Sequence, residues 1–550
     1  MSARADDRPV VVVGGGPTGI TAALVLATRG TDVVVLERHD DVWALPRAVH
    51  LDDEVARLLQ GLGVAEGFAG ITRPARGLRL LDREHRTLAE FPRSPLPGPH
   101  GHPQANLFDQ PELEQLLRVR LAELPRAVLR TGVEVLRVEP GPDGPVVVLQ
   151  DSGTGAEQHL AASAVLGCDG ADSTVRAAVG ARWRELAAGE RWLVLDVRCP
   201  VVLDAWAGVH QVCDGRRAAT FLQVGEDRYR WEFQLRDGER TADLERPEVL
   251  AGLVRPWTGD VPFSRLEVLR SAEYVFRARV VDRWRLGRVF LLGDAAHQTP
   301  PFVGQGLGAG LRDAGNLGWK LAAVLQGRAP EALLDSYQAE RLPHARAMVR
   351  LAVTAGWAMT GGGGRSAAVR RGVLAALCRL PGAQEHLLDR GSPALARGPL
   401  VRRSRRRGQR LAGALAPQPR VRVPGGRDQV PLDELLGDGF AVLVRTAPDP
   451  ALRRLAARLD APVLRVGAGP LRDDGVLRDD GTLERWLAGG RASAAVLRPD
   501  RTVLLTARSP VAPGAELERE HADVLRQVGA SAPAGPAHRQ RSSSSPRTVP

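Results

Sequence analysis

The chain has 550 residues, too many for one ordinary domain, and its 44% apolar and 25% charged content is that of a globular protein rather than a disordered or fibrous one. Its net charge of +11 is carried by arginine, with Lys320 the only lysine. The densest basic run, Arg402-Arg403-Ser404-Arg405-Arg406-Arg407, has no interleaved aromatics to stack on bases, so it reads as a solvated connector and not a nucleic-acid site.

The amino terminus passes from Asp6-Asp7-Arg8 straight into Val10-Val11-Val12-Val13, without the basic and apolar regions of a secretory signal. No stretch reaches the roughly 18 uninterrupted apolar residues that a membrane helix needs. Cys168, Cys199, Cys213 and Cys378 form no CxxC and no metal-like spacing, so neither a disulfide framework nor a metal site is expected. A cytoplasmic protein is the expectation.

The β-branched run at residues 10–13 ends at glycines, as a buried parallel strand does. Residues 17–29 carry Ile20, Ala23, Leu24 and Ala27 at helical spacing, and Val33-Val34-Val35-Leu36 forms a second buried strand. Together these make a βαβ unit. From about 190 to 280 the pattern changes to alternation, as in Arg228-Tyr229-Arg230-Trp231-Glu232-Phe233-Gln234-Leu235, which predicts an antiparallel sheet forming a pocket wall. Helical periodicity returns at 306–326 and 331–352, and Gly361-Gly362-Gly363-Gly364 is a break.

A separate α/β unit is predicted from about 410, with strands at 440–444 and 494–497 and a hairpin turn at Pro499-Asp500 before Val503. The expected units are a dinucleotide-binding domain over 1–180, a sheet domain over 181–280, the return of the first domain with a helical segment over 281–400, a carboxy-terminal domain over 410–530, and a disordered tail over 531–550.

Three motifs carry chemistry. In Gly14-Gly15-Gly16-Pro17-Thr18-Gly19, between strand and helix, Gly14 permits the tight turn, Gly16 lets a pyrophosphate approach the backbone, and Gly19 lets strand and helix pack. The helix amino terminus offers unpaired N–H groups to that anion, and Glu37, followed by Arg38, stands where ribose hydroxyls are accepted. The second motif is Cys168-Asp169-Gly170-Ala171-Asp172-Ser173-Thr174-Val175-Arg176, after the strand Ala164-Val165-Leu166. The third is Gly293-Asp294 at the end of a buried strand, followed by Pro300-Pro301-Phe302-Val303-Gly304-Gln305-Gly306-Leu307-Gly308. This third arrangement presents a carboxylate to a polyol and aims a second helix dipole at a group that gains negative charge.

With these motifs in this order, residues 8–350 resemble the single-component (class A) FAD-dependent aromatic hydroxylases of the para-hydroxybenzoate hydroxylase fold. Pro46-Arg47-Ala48-Val49-His50-Leu51-Asp52 and Thr299-Pro300-Pro301-Phe302-Val303-Gly304-Gln305-Gly306-Leu307 are similar to the 3-(3-hydroxyphenyl)propionate hydroxylase group. The resemblance implies an α/β (α+β overall) architecture: a Rossmann-like FAD-binding domain, an inserted antiparallel substrate domain, and a carboxy-terminal thioredoxin-like domain. With no cysteine after Cys378, that last domain has no dithiol chemistry; a structural role or dimerisation, as a homodimer, is expected.

The implied FAD contacts are Gly14, Gly16, Pro17, Thr18, Gly19, Glu37, Arg38, Arg47, Gln110, Asp169, Gly170, Asp294, Pro301, Gly304, Gly306 and Leu307. Many relatives have asparagine where this chain has Gly308, so that residue takes no asparagine's role. By the same resemblance NAD(P)H reduces FAD, O2 adds at C4a, and the resulting hydroperoxide oxygenates a phenolic substrate such as a 3-hydroxyphenylpropionate-like compound. Candidates for handling the phenol's proton or bordering the reaction are Pro301, His50 and Tyr229, with His210 and His297 also considered; His297 reads first as a structural histidine. Two alternatives remain open: oxygenation of a polyketide or an amine nitrogen in a natural-product pathway, and a non-catalytic flavin-binding scaffold.

Overall fold

The computed structural model describes residues 8–43, 48–360, 392–402, 411–422, 428–467 and 475–530. Arg47, the glycine run at 361–364 and the tail at 531–550 lie outside these residues. No described helix is long and apolar enough to cross a membrane.

The β-branched run Val10–Val13 is buried on both faces because it sits inside a six-stranded sheet. Its order is Arg285–Leu286, Val289–Leu291, Ala164–Gly167, Val10–Val13, Val33–Leu36, Ala127–Arg130, all parallel except the first pair. Each strand preceding a functional motif is therefore adjacent to another: Val13 pairs with Gly167, and Gly167 with Leu291. The βαβ expectation holds, with the helix at Pro17–Ala27. Against it packs the helix Gly306–Leu325, whose glycines permit close approach. A Cβ at Gly318 would come within 2.3 Å of Val25, and one at Gly310 within 2.4 Å of Thr18 Oγ1.

The second sheet has eight strands and takes in more chain than the alternating region predicts. It runs His297–Gln298, Glu267–Val281, Trp183–Arg198, Arg228–Gln234, Ala219–Gln223, Val209–Val212, Gly77–Leu81, Thr87–Pro92. The last two strands come from within the expected first domain, so the sheet domain is not a single insertion over 181–280. They join through a parallel pairing of Leu78 with Val209. Strand alternation gives this sheet two unlike faces. Tyr229, Trp231 and Phe233 pack outward with Leu193, Leu195, Phe221 and Trp257 in an apolar cluster. Arg230 and Glu232 point to the opposite face, toward the six-stranded domain.

The carboxy-terminal sheet has the order Val476–Leu477, Val463–Val466, Ala441–Val444, Ala494–Leu497, Val503–Ala507. Its first three strands are parallel and the last two form the predicted antiparallel hairpin. The hairpin turn drives Arg498 into the helix Asp335–Thr360, where it donates to Glu340 Oε1 at 2.8 Å, while Lys320 Nζ reaches Glu340 Oε2 at 2.7 Å. All three side chains are buried. Asp500 completes the cluster, pairing with Arg498 and accepting from Trp319 Nε1 at 3.2 Å. Burial would raise the Glu340 carboxyl, but Arg498 and Lys320 outweigh it and hold the group down to about 2.

Arg498→Ala removes one partner from this buried network, and breaking such a pair costs about 3–5 kcal/mol. A clear fall in Tm by calorimetry is expected, and an unchanged Tm contradicts the assignment. Glu340's lowered pKa also means that its contribution is complete above its unfolded value near 4.3 and is lost as pH falls from there toward about 2. Thermal melts across that interval should show acid destabilisation that Glu340→Gln reduces.

Candidate active site

The glycine loop Gly14–Gly19 is held by its neighbours with little tolerance. Gly14 has φ +101°, and a Cβ there would lie 2.5 Å from the Cys168 carbonyl oxygen; at Gly19 one would lie 1.9 Å from the Gly14 oxygen. Around Gly16, by contrast, a Cβ would meet nothing within 4 Å. Two of these glycines are thus required by packing, and the third borders open space.

Glu37 secures the loop by accepting from Gly15 N at 2.6 Å and His39 N at 3.0 Å. Its carboxylate has a structural task beyond the ribose role expected of it. Arg38 is exposed and donates to His39 Nε2 at 3.2 Å. Gln110 accepts from Ala48 N at 2.8 Å, which tethers the segment following Arg47.

Beside the loop, Asp169 and Ser173 organise the start of the helix Thr174–Val179. Asp169 Oδ2 accepts from Val175 N at 3.1 Å and Ser173 Oγ from Arg176 N at 3.0 Å. The other carboxylate oxygen of Asp169 is buried without a protein partner among the described residues, and burial pushes this carboxyl up. Gly170, at φ +80°, has open space where a Cβ would be.

The third motif is fixed by a buried carboxylate that the sequence reading did not single out. Asp313 Oδ2 accepts from Gly293 N at 3.0 Å and lies 2.7 Å from His297 Nε2, and Oδ1 accepts from Arg341 Nε at 2.8 Å. His297 is buried in this network and stacks on Trp284 at 5.2 Å, so it is a structural histidine. Held in this way, Gly293 turns at φ +58° and leaves Asp294 exposed on a cavity wall.

That cavity, of about 1700 Å³, joins all the motifs. Gly16, Pro17, Thr18, Gln110, Gly170 and Asp294 line one part, and Pro301, Gly304, Gly306 and Leu307 another. It ends against the inner face of the eight-stranded sheet, at Leu78, Leu80, Thr220, Leu222 and Glu232. Asp500 and Thr502 of the carboxy-terminal hairpin also line it. Two helix amino termini open onto it, at Pro17 and at Gly306, and neither has a side-chain cap. Their unpaired N–H groups leave partial positive charge there.

Of the proton-handling candidates, His50 lines the cavity, with Nδ1 3.2 Å from the Gly304 carbonyl oxygen. Burial lowers its pKa against the opposing charge of Asp52, so it is neutral near pH 7. Pro301 lines the cavity at the head of a 3₁₀ turn, and the following Phe302 meets Trp192 edge-on at 5.9 Å. Tyr229 is not part of the site: its hydroxyl accepts from Leu203 N at 3.2 Å within the outward cluster. His210 shares that outward face, accepting from Trp257 Nε1 at 3.0 Å; burial and nearby Arg79 depress it to about 4.

Sequence reasoning passed over Trp183 and Arg279. Arg176 and Arg279 lie over the Trp183 ring at 4.7 and 4.0 Å, and all three line the cavity. Glu232 belongs to the strand read as a pocket wall, and it lines the cavity because the alternation that buries Trp231 and Phe233 outward turns it inward.

These features fit FAD. The space beside Gly16, the uncapped helix ends, the unpartnered Asp169 oxygen and the exposed Asp294 carboxylate match a pyrophosphate, hydroxyl donors and a flavin that gains negative charge.

The fold and site define a flavoprotein monooxygenase. Residues 7–352 match the family described as FAD binding domain, and residues 413–521 the one described as HcaD C-terminal domain. The chain is 33% identical over 520 residues to a 3-(3-hydroxy-phenyl)propionate/3-hydroxycinnamic acid hydroxylase of Mycobacterium sp. (strain KMS), covering 90% of this chain and 87% of the relative. It is 32% identical to the protein of that name from Escherichia coli O81 (strain ED1a), covering 90% and 91%. Among solved structures, aklavinone-11 hydroxylase in complex with FAD and aklavinone shares the fold, with TM-score 0.76, 24% identity, and coverage of 96% of this chain and 99% of that one. The chain belongs to the FAD-binding-domain family of flavoprotein monooxygenases.

Gly16→Val and Gly19→Val should separate binding from folding. Gly16→Val places its side chain in open space, so the protein should purify folded but lose most of its flavin, read as the 450 to 280 nm absorbance ratio. Gly19→Val drives a side chain into backbone and should lower Tm. Full flavin occupancy in Gly16→Val contradicts the placement.

Proposed function

We propose that this enzyme hydroxylates a phenolic ring bearing a short side chain, such as a 3-hydroxyphenylpropionate-like compound, with NAD(P)H and O2 as co-substrates. The observation that carries the reading is a single cavity that leads from the dinucleotide loop past Pro301 to a mostly apolar sheet face. The names of the relatives matched over 90% of the chain support the choice of substrate class.

Bound FAD supplies the redox chemistry, passing electrons from NAD(P)H to O2. The chain's own residues bind, orient and exclude water. The helix ends at Pro17 and Gly306 hold negative charge, Asp294 receives hydroxyl groups, and the Pro301–Val303 turn borders the substrate chamber. Leu78, Leu80, Phe91 and Leu222, with Met348 from the helix Asp335–Thr360, form an apolar wall that keeps the chamber dry. His50, neutral and on the cavity surface, is the group suited to take up a proton near the Gly304 turn.

Arg176 and Arg279, beside Trp183, suit the anionic and aromatic parts of NAD(P)H. The carboxy-terminal unit is read as a thioredoxin-like domain with a structural task; its five-stranded sheet and the position of Asp500 and Thr502 on the cavity wall support that reading. A reducing, cytoplasmic setting accords with the unbridged Cys168 and Cys199.

Two measurements test the reading. NAD(P)H oxidation by holoenzyme should rise sharply with a 3-hydroxyphenyl compound and yield a product 16 mass units heavier. Equal oxidation with and without every phenol of a broad panel, or a heavier product only from non-phenolic compounds, overturns it. Arg279→Ala should raise KM for NAD(P)H by roughly 10- to 100-fold, the weight of a charge-assisted hydrogen bond, with bound FAD retained; an unchanged KM removes Arg279 from that role.

A further inference from the structure

The inner face of the eight-stranded sheet is mostly apolar where it closes the chamber, at Leu78, Leu80, Val209 and Leu222. One row across it is polar. Gln211 pairs with Thr220, and Thr220 with Glu232, so the three side chains stand next to one another on adjacent strands. Thr220 and Glu232 both line the cavity.

The hydrogen bonds along this row are directional. Gln211 Nε2 donates to the Ala219 carbonyl at 3.1 Å, which fixes the amide so that its Oε1 faces Thr220. Thr220 Oγ1 donates to that oxygen at 3.0 Å. The threonine's proton is therefore committed, and its lone pairs remain to accept. The row ends at Glu232, only 7% exposed and without a hydrogen-bond partner among the described residues. The nearest cation on its strand, Arg230, is engaged by Asp196 through bonds of 2.7 and 3.1 Å. A buried carboxyl at a cavity wall with no protein partner is costly unless a ligand or water supplies one.

We infer that Glu232, with Thr220 beside it, is the subsite that receives a ring hydroxyl of the substrate. The inference rests on the aromatic reading above and adds which residues hold the phenol. Burial pushes the Glu232 carboxyl up, with Arg230 opposing and Asp196 assisting. A carboxyl group accepts a hydrogen bond in either protonation state, and donates one as well when it carries its proton. It therefore complements a ring hydroxyl, whose proton needs an acceptor. A methyl ether in the same place offers no donor and leaves the Glu232 carbonyl oxygen unpaired, which makes this subsite a determinant of specificity.

The test compares holoenzymes of the wild type, Glu232→Gln and Glu232→Leu, each titrated with a 3-hydroxyphenyl ligand and its methyl ether while flavin absorbance is followed. The wild type should prefer the phenol by roughly tenfold or more. Glu232→Leu should bring that ratio close to one by weakening the phenol alone, and Glu232→Gln, which keeps a donor and an acceptor, should preserve most of it. A ratio in Glu232→Leu equal to that of the wild type overturns the inference, as does equal weakening of both ligands, which would mark general damage to the chamber. If phenols bind and are hydroxylated but the ratio does not respond to residue 232, this inference alone fails. If no phenol perturbs the flavin of the wild type, the aromatic reading fails and the subsite falls with it.

Discussion

The carboxylate of Asp313 is the point on which the arrangement of the site depends. It is fully buried, and such a charge is tolerated only when its oxygens are taken up by donors. Here three donors surround it: Gly293 N of the Gly293-Asp294 turn, His297 just after it, and Arg341 from the next long helix. Burial would raise the group, but His297 and Arg341 hold it below the usual carboxylate range. Because Asp313 stands in the helix that begins at Gly306, the same contacts fix where that helix's amino terminus points. Arg341 also donates to the Ala309 carbonyl at 3.2 Å and meets His344 at 3.0 Å, extending the network toward the cavity. Placement of Asp294 and of a second positive helix end follows from one buried ion.

The two sheets divide the labour. The parallel sheet brings the three motif strands side by side, so that loops separated by more than a hundred residues meet at their carboxyl ends, the usual location of ligands in such sheets. The eight-stranded sheet offers one apolar face to its own core and one mixed face to the cavity. The carboxy-terminal unit is fastened by Arg498 to Glu340 and by Arg57 to Asp433, the latter at 2.6 Å. With Asp500 and Thr502 on the cavity wall, its attachment bears on how well the chamber excludes water.

What was legible in the sequence was local. A glycine that must lie next to backbone, as Gly14 and Gly19 do, leaves its mark within a few residues, and so do the valine runs and the hairpin at Pro499-Asp500. The inward and outward faces of Arg228–Gln234 were also written in the alternation, yet Tyr229 drew attention for its hydroxyl although it shares the face of Trp231 and Phe233. The illegible parts are contacts between distant segments. Arg498 and Glu340 are 158 positions apart, and strands at 77–92 join a sheet formed mostly beyond residue 183. No periodicity encodes such pairings. Glu37 shows a subtler limit, because its position beside the glycine loop was readable, whereas its use in holding Gly15 and His39 was not.

The central claim is that one cavity holds a flavin and an aromatic substrate for transfer of an oxygen atom from O2. Turnover of holoenzyme with a 3-hydroxyphenyl substrate under ¹⁸O2 in ordinary water tests it most directly. One ¹⁸O atom per product molecule, introduced on the ring, is the expected result. Product oxygen derived from water, or NAD(P)H oxidation that never yields labelled product with any phenol, would contradict it.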